Sequence, residues 1–342
     1  MRVAQIIDTL NVGGAEQVLV DVSNILYENN VNVEVLVLIK PGVKAKSLNP
    51  NIPIKSLGRT NKFSLKKMLE LKEILLTYDI LHCHFRHVYR YVKLIDLFFN
   101  LNSKKIILHD HYGSIDINKS VPLGFNSLFK IEYYIGVSDS LMQWAYKSIS
   151  PKFSLLLANI IRKSNNSILL DKVFDFIVIS NIKQIKNQIF AASIAKSLDK
   201  SILFIGAIQD LDYYNKLIDY CESSNIDYQI LTKVSDAQSY LKNAVVALQV
   251  SKSETGPLVL IEYLAHGMPF LSFNTGEVVK LISKEHSLFV VDSFHLKDWV
   301  DGYNKLINLN LKKSTIKKIF SKNFSEQYYF KELFDFYKKI LS

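Results

Sequence analysis

Ser253-Glu254-Thr255-Gly256-Pro257-Leu258-Val259-Leu260-Ile261-Glu262 is the stretch on which the reading of this chain turns. The apolar run Val245-Val246-Ala247-Leu248-Gln249-Val250 ahead of it reads as a buried parallel strand. Pro257 suits the first helical turn, where a missing N–H costs nothing, and Gly267 followed by Pro269 ends the helix. Glu254 then lies just ahead of a helix N-terminus, with Glu262 roughly a turn and a half inside. A helix N-terminus favours anions, so two carboxylates there do not suit a bare phosphate. They suit a ligand that also offers hydroxyls, as a sugar and a ribose do. A solvated loop carboxylate next to a solvated helix-face carboxylate would give the same pattern.

Outward from this stretch, strand-like runs alternate with helix-like runs in both halves of the chain, the pattern of an α/β protein with parallel sheets. In the first half the strands are expected at 3–7, 33–39, 79–85, 105–109, 133–137 and 153–157. In the second they are expected at 176–179, 201–205, 228–231, 245–250, 270–273 and 288–291. After the first strand comes Gly13-Gly14, and then a helix whose Ala15, Val18, Leu19, Val22, Ile25 and Leu26 form one apolar stripe. The polar stretch Asn159 to Ser167 reads as a linker between domains. A last helix, capped by Ser325, carries Tyr329, Phe330, Leu333, Phe334, Tyr337, Ile340 and Leu341 on a stripe that needs burial.

A chain of 342 residues, 49% hydrophobic, is long enough for two cores. The net charge of +10 favours acidic partners without choosing among them. Residues 1–160 hold 19 Lys and Arg against 13 Asp and Glu, so they carry +6 of that excess. Cys83 and Cys221 sit in apolar contexts of different domains and read as reduced, buried thiols. No secretory leader is expected, because Asp8 interrupts the first short apolar run. No apolar run reaches the ~20 residues of a membrane-spanning helix.

Taken with its strand and helix, the Glu254…Glu262 spacing resembles the Glu-x7-Glu signature of retaining GT-B glycosyltransferases of family 4 (group 1). The resemblance runs the length of the chain in the family's order. It implies a GT-B fold of two facing Rossmann-like domains: residues 1–160 binding the acceptor, 171–322 binding a nucleotide sugar, and a helix over 325–342 returning to the first domain. It implies donor contacts from Gly13, Gly14, Lys183, Lys186, Glu254, Thr255, Gly256, Pro257, Leu258 and Glu262. Asn181 stands where the family has an arginine, so Lys183 is expected to serve beside Lys186 on the diphosphate. Thr255-Gly256-Pro257 replaces the family's Gly-Phe-Gly, and Asn274-Thr275-Gly276-Glu277 resembles its glycine-rich turn near the nucleotide. His109 or His111 matches a histidine close to the reacting carbon, which makes His109, His111 and Glu254 the catalytic candidates. The implied chemistry is retaining transfer from a UDP- or GDP-sugar to a saccharide or lipid-linked acceptor, with no metal cofactor. It points to surface polysaccharide or glycolipid synthesis in the cytoplasm, and the +6 charge of residues 1–160 adds an expected peripheral contact with an anionic membrane.

Other readings compete. His82, His84, His109 and His111 at strand ends suggest a zinc hydrolase, although Arg86 occupies the position of the aspartate in a His-x-His-x-Asp-His pattern. Asp210-Leu211-Asp212 spells a metal-binding Asp-x-Asp, but also opens a helix, where aspartates are common. An inactive GT-B-like binding subunit would explain the missing arginine. Basic residues are too dispersed for a nucleic-acid binder. Arg86, Arg90 and Lys93 are expected on one outward helix face, with Phe125, Phe129 and Trp144 as exposed aromatics, together forming a lipid-facing surface.

Overall fold

The computed structural model describes residues 1–101, 104–113, 115, 118–254, 256–284 and 286–342. It divides into two units, Met1–Ile161 with Glu326–Ser342, and Arg162–Ser325.

In the first unit the chain runs β1 (Arg2–Thr9), α1 (Gly14–Glu28), β2 (Asn32–Lys40), β3 (Ile54–Ser56), α2 (Leu65–Leu75), β4 (Ile80–His84), α3 (Arg86–Phe99), β5 (Lys105–Asp110), β6 (Tyr133–Gly136), α4 (Asp139–Ser148) and β7 (Phe153–Leu156). All seven strands pair in parallel, in the order β3-β2-β1-β4-β5-β6-β7. Val3 to Ile7 are buried without a break, as in a strand covered on both faces, and not in alternation. Burial of Val18, Leu19, Val22, Ile25 and Leu26 gives α1 its inward stripe. The three-residue β3 has too few side chains to make a pattern, and it escapes the sequence reading. The strand order reverses between β1 and β4, which puts a crevice at their carboxyl ends.

The second unit runs β8 (Phe174–Ile179), α5 (Gln188–Ser197), β9 (Ile202–Ile205), α6 (Leu211–Ser223), β10 (Tyr228–Leu231), β11 (Ala244–Gln249), α7 (Leu258–His266), β12 (Phe270–Phe273), α8 (Glu277–Ser283), β13 (Val290–Val291), α9 (Leu296–Asn308) and α10 (Lys313–Asn323). Its sheet is parallel too, ordered β10-β9-β8-β11-β12-β13, with the reversal between β8 and β11. At Gly206 an added Cβ would lie 1.9 Å from the Ser180 carbonyl oxygen, so only glycine lets the end of β9 pass that close to the end of β8. Pro257 is the N-cap of α7, and Gly267 ends the helix in the left-handed region at φ 67°. Arg162 to Leu170 is not a loose tether. Ile168 N donates to Ser239 O at 2.9 Å, and Leu170 N donates to Asn243 Oδ1 at 2.7 Å.

The final helix, α11 (Glu326–Leu341), belongs to the first unit and buries Tyr329, Leu333, Phe336, Tyr337 and Ile340 there. Phe336, outside the expected stripe, is buried, whereas Phe330 and Phe334 are half-buried and stack on each other at 5.1 Å.

Candidate functional site

Each unit presents its candidate residues where its strand order reverses. In the second unit, β8 leads into Asn181 and Lys183, then a short 3-10 turn over Gln184–Lys186, then α5. The loop after β11 carries Glu254 and leads to α7. Lys186 Nζ donates to Glu254 Oε1, and both side chains are less than one-fifth exposed. The two loops are also tied through backbone, Lys252 N to Ile185 O at 2.9 Å. Glu254 N donates to Thr275 Oγ1 at 3.1 Å, which adds the turn before α8. Gln188 Nε2 holds the other loop, donating to Ser180 Oγ and to the Asn181 carbonyl, each at 2.9 Å. Glu262 is the fifth residue of α7 and half-buried. Gly256 and Leu258 are half-buried beside buried Pro257, Lys183 is half-buried, and Thr255 lies outside the described residues.

The Asp210/Asp212 pair sits at the start of α6. Asp210 caps α6, its Oδ1 accepting from Tyr213 N at 3.0 Å, while Asp212 is exposed in the first turn. Helix-capping chemistry accounts for both.

In the first unit, Gly13 and Gly14 open α1 after β1. The Glu16 side chain folds back on Gly13, so a Cβ there would meet its Oε2 at 2.2 Å, and burial raises the Glu16 pKa. At the carboxyl ends of β4 and β5 four histidines form a stack. The His82 and His84 rings lie 4.8 Å apart, those of His84 and His111 5.3 Å, and those of His109 and His111 4.2 Å. His82 Nε2 meets His109 Nδ1 at 3.0 Å, and His84 Nδ1 meets His111 Nε2 at 3.1 Å. Two residues that the sequence reading did not place at the site complete the set. Tyr337 Oη lies 2.6 Å from His82 Nδ1, and Gln5 Oε1 lies 2.8 Å from His84 Nε2. Gln5 Nε2 also donates to Tyr337 Oη at 3.2 Å. The signal for Gln5 was a lone amide inside the apolar strand Val3-Ala4-Gln5-Ile6-Ile7; Tyr337 gave none, being one aromatic among several.

Burial removes water from these rings and disfavours their cationic form. His82 and His111 are pushed down to about 3, and His84 and His109 well below the usual histidine range. All four are therefore neutral at pH 7. The ring nitrogens of His82, His84 and His109 lie within 4.8 Å of one another, close enough to suggest a cation site. Yet His82 and His84 have both ring nitrogens spent on neighbours, and His109 has one. As arranged, the ring nitrogens hold one another and their neighbours in a hydrogen-bonded stack.

Arg86 corrects another expectation. Its guanidinium is bound to buried Asp110 through Nε at 2.9 Å and a terminal nitrogen at 2.7 Å, between the Tyr112 and Trp144 rings at 4.4 and 4.1 Å. Arg90 lies 5.6 Å over the Phe129 ring and Lys93 pairs with Asp96 at 2.6 Å. Phe125 and Trp144 are buried. Arg86 is thus spent inside the unit, because a fork-shaped cation finds a better partner in a buried carboxylate, while Arg90 and Lys93 stay half-buried. Phe85, between His84 and Arg86, holds φ at 78°, a strained value for a bulky residue and one that clusters at working sites.

With this geometry established, comparisons give the class. Residues 162–324 match the model of the family described as Glycosyl transferases group 1. An uncharacterized glycosyltransferase of Haemophilus influenzae is 24% identical over 230 residues, covering 61% of this chain and 62% of that relative, so the chain spans under two thirds of its length. A glycosyltransferase structure from Rickettsia africae superposes with a TM-score of 0.77 at 14% identity, over 100% of this chain and 98% of that one. HepE of Anabaena, solved with UDP and glucose, gives 0.81 at 13% identity, over 99% and 100%. The fold is therefore GT-B, built on two Rossmann-like parallel sheets, and the second unit is the part of the chain that matches the group 1 glycosyl transferase model.

Proposed function

We propose that the protein moves a glycosyl group from a nucleoside diphosphate sugar, UDP- or GDP-linked, to a saccharide or lipid-linked acceptor, with retention of anomeric configuration. The observation that carries this reading is the meeting of Lys186 and Glu254 at the β8/β11 reversal of a unit that matches the group 1 family. A cation for phosphate and a carboxylate for hydroxyls lie side by side there, as a diphosphate joined to a sugar requires. In this reading Lys186, helped by Lys183, takes the diphosphate, and Gly256, Pro257 and Leu258 bring backbone to it at the start of α7. Glu254 takes sugar hydroxyls and Glu262 the ribose. The first unit holds the acceptor in this reading, and Gly13, Gly14, His109 and His111 are its own candidates for ligand contact.

Lysines and a helix N-terminus supply the stabilisation of the leaving diphosphate that a divalent cation supplies elsewhere, so no metal is needed. UDP in the Anabaena HepE structure supports a uridine donor. The proposal assigns the enzyme to surface polysaccharide or glycolipid synthesis in the cytoplasm, with peripheral contact to anionic lipid. The basic excess of residues 1–160 supports that contact, as do exposed Leu123 and Leu128 on a segment that also carries Lys119 and Lys130. No helix among the described residues is long and apolar enough to cross a membrane.

A thermal-shift series with UDP, GDP and their sugars tests the reading. A ligand at a hundred times its Kd stabilises by about 2.7 kcal/mol, a clear rise in Tm. No shift with any of them would overturn it.

A further inference from the structure

The orientation of the Gln5 amide determines where the protons of the histidine stack lie. Gln5 Nε2 donates to the Tyr337 hydroxyl, so the single hydroxyl proton is free to go to His82 Nδ1. A neutral His82 that accepts at Nδ1 carries its proton on Nε2 and donates it to His109 Nδ1. His109 is then an Nε2–H imidazole. On the other branch Gln5 Oε1 accepts from His84 Nε2, leaving His84 Nδ1 to accept from His111 Nε2. His111 also engages Asn159. Of the eight ring nitrogens, His109 Nε2 is the buried one left without a protein partner. A buried N–H with no acceptor is costly, so it marks a place where a ligand atom belongs.

We infer that Gln5 and Tyr337 are positioning residues that fix His109 as a hydrogen-bond donor through His82, so that His109 offers an N–H to an oxygen of the bound ligand and does not act as a general base. The inference rests on the proposed function only for what His109 touches; the proton positions belong to the unliganded chain. Reversing the amide would turn Tyr337 toward Gln5, put the His82 proton on Nδ1, and leave His109 Nε2 with a lone pair. One amide thus separates an acid-side role from a base-side role at the same ring.

The test is two-bond proton–nitrogen NMR of the full chain labelled with 15N-histidine, without ligand, at pH 7. The His109 signals are assigned by their loss in His109→Gln. The expected result is His109 protonated at Nε2. Tyr337→Phe, which removes the donor to His82, should turn His82 and His109 into tautomer mixtures while His84 keeps its pattern. Gln5→Glu, able only to accept, should reverse His109. His109 protonated at Nδ1 in the unaltered chain would overturn the inference, as would a His109 pattern indifferent to Tyr337→Phe. If neither variant folds, the unaltered chain still decides. In turnover, Tyr337→Phe should lower kcat about tenfold or more with UDP affinity unchanged, since the second unit is untouched. A fall in UDP affinity equal to the fall in kcat would mean general damage and overturn the positioning role. Failure of the unaltered chain to bind nucleotide would count against the proposed function, and the NMR result would stand apart from it.

Discussion

The Tyr337 hydroxyl lies 2.6 Å from His82 Nδ1 across 255 positions of sequence, and it joins the last helix to the centre of the first sheet. Tyr337 is fully buried, so its removal leaves a cavity and two polar groups without their partner. Tyr337→Ala should cost about 3–5 kcal/mol of stability, as for other large buried aromatics. Tyr337→Phe keeps the volume and should cost about 1–3 kcal/mol, the penalty of an unmade buried hydrogen bond. Urea unfolding followed by circular dichroism checks the order; equal costs for the two variants would deny the hydroxyl its role.

Glu262 is assigned the ribose hydroxyls. Hydrogen bonds to a charged group are worth roughly 1.5–3 kcal/mol each, so Glu262→Ala should weaken nucleotide binding at least about tenfold. Isothermal calorimetry with UDP and GDP measures this directly. Unchanged affinity would remove Glu262 from the site.

Glu254 holds Lys186 before any diphosphate arrives. Glu254→Gln keeps the shape, removes a negative charge beside the incoming phosphates, and frees the lysine. UDP should then bind as well as before or up to about tenfold tighter, while transfer falls by about a hundredfold or more. Weaker UDP binding in this variant would mean that Glu254 contacts the nucleotide itself.

The neutral histidines make the first unit acid-sensitive. Their folded pKa values lie below the unfolded value of about 6.5, so the unfolded chain binds more protons below that pH. Their stabilising contribution is whole above about 6.5 and is lost as pH falls toward 3, each ring giving up to about 1.4 kcal/mol per pH unit. Urea midpoints at pH 7.5, 6 and 5 should decline from the first step. A decline starting only near pH 4 would place the sensitivity in the carboxylates.

Transfer is expected to survive EDTA and to keep the anomeric configuration of the donor, which NMR of the product reports. Activity lost to EDTA and restored by manganese would end the metal-free reading.

The α/β class and the doubled parallel alternation were legible because strands such as Val3–Ile7 and helices such as α1 repeat apolar residues at their own periods. So was α7, bounded by Pro257 and Gly267. Edges were harder: β3 was not expected, and the strand expected at 288–291 is only the two-residue β13, both being pinned by pairing with neighbours. For the site, the nearness of Lys186 to Glu254 was implied by matching loops, but the partners of the histidines were not. Periodicity places a side chain on a face and says nothing of which distant residue meets it there, so Gln5 and Tyr337 stayed hidden. Arg86 shows the same gap from the other side. Its helical spacing is that of a surface residue, while Asp110, Tyr112 and Trp144 draw it inward.

Because α11 belongs to the first unit, the chain leaves that unit after Ile161 and rejoins it at Glu326. On a ribosome the first sheet must therefore wait while Arg162 to Ser325 are made, about 10–30 s at ordinary rates of synthesis. Throughout that interval Gln5 and His82 lack Tyr337, and the face that α11 will cover stays open. The nascent first unit is thus exposed to chaperones and to misassociation for as long as its partner unit takes to emerge. A ribosome pausing within the second unit would prolong that exposure, although none of the paused codons encodes a residue of the first sheet.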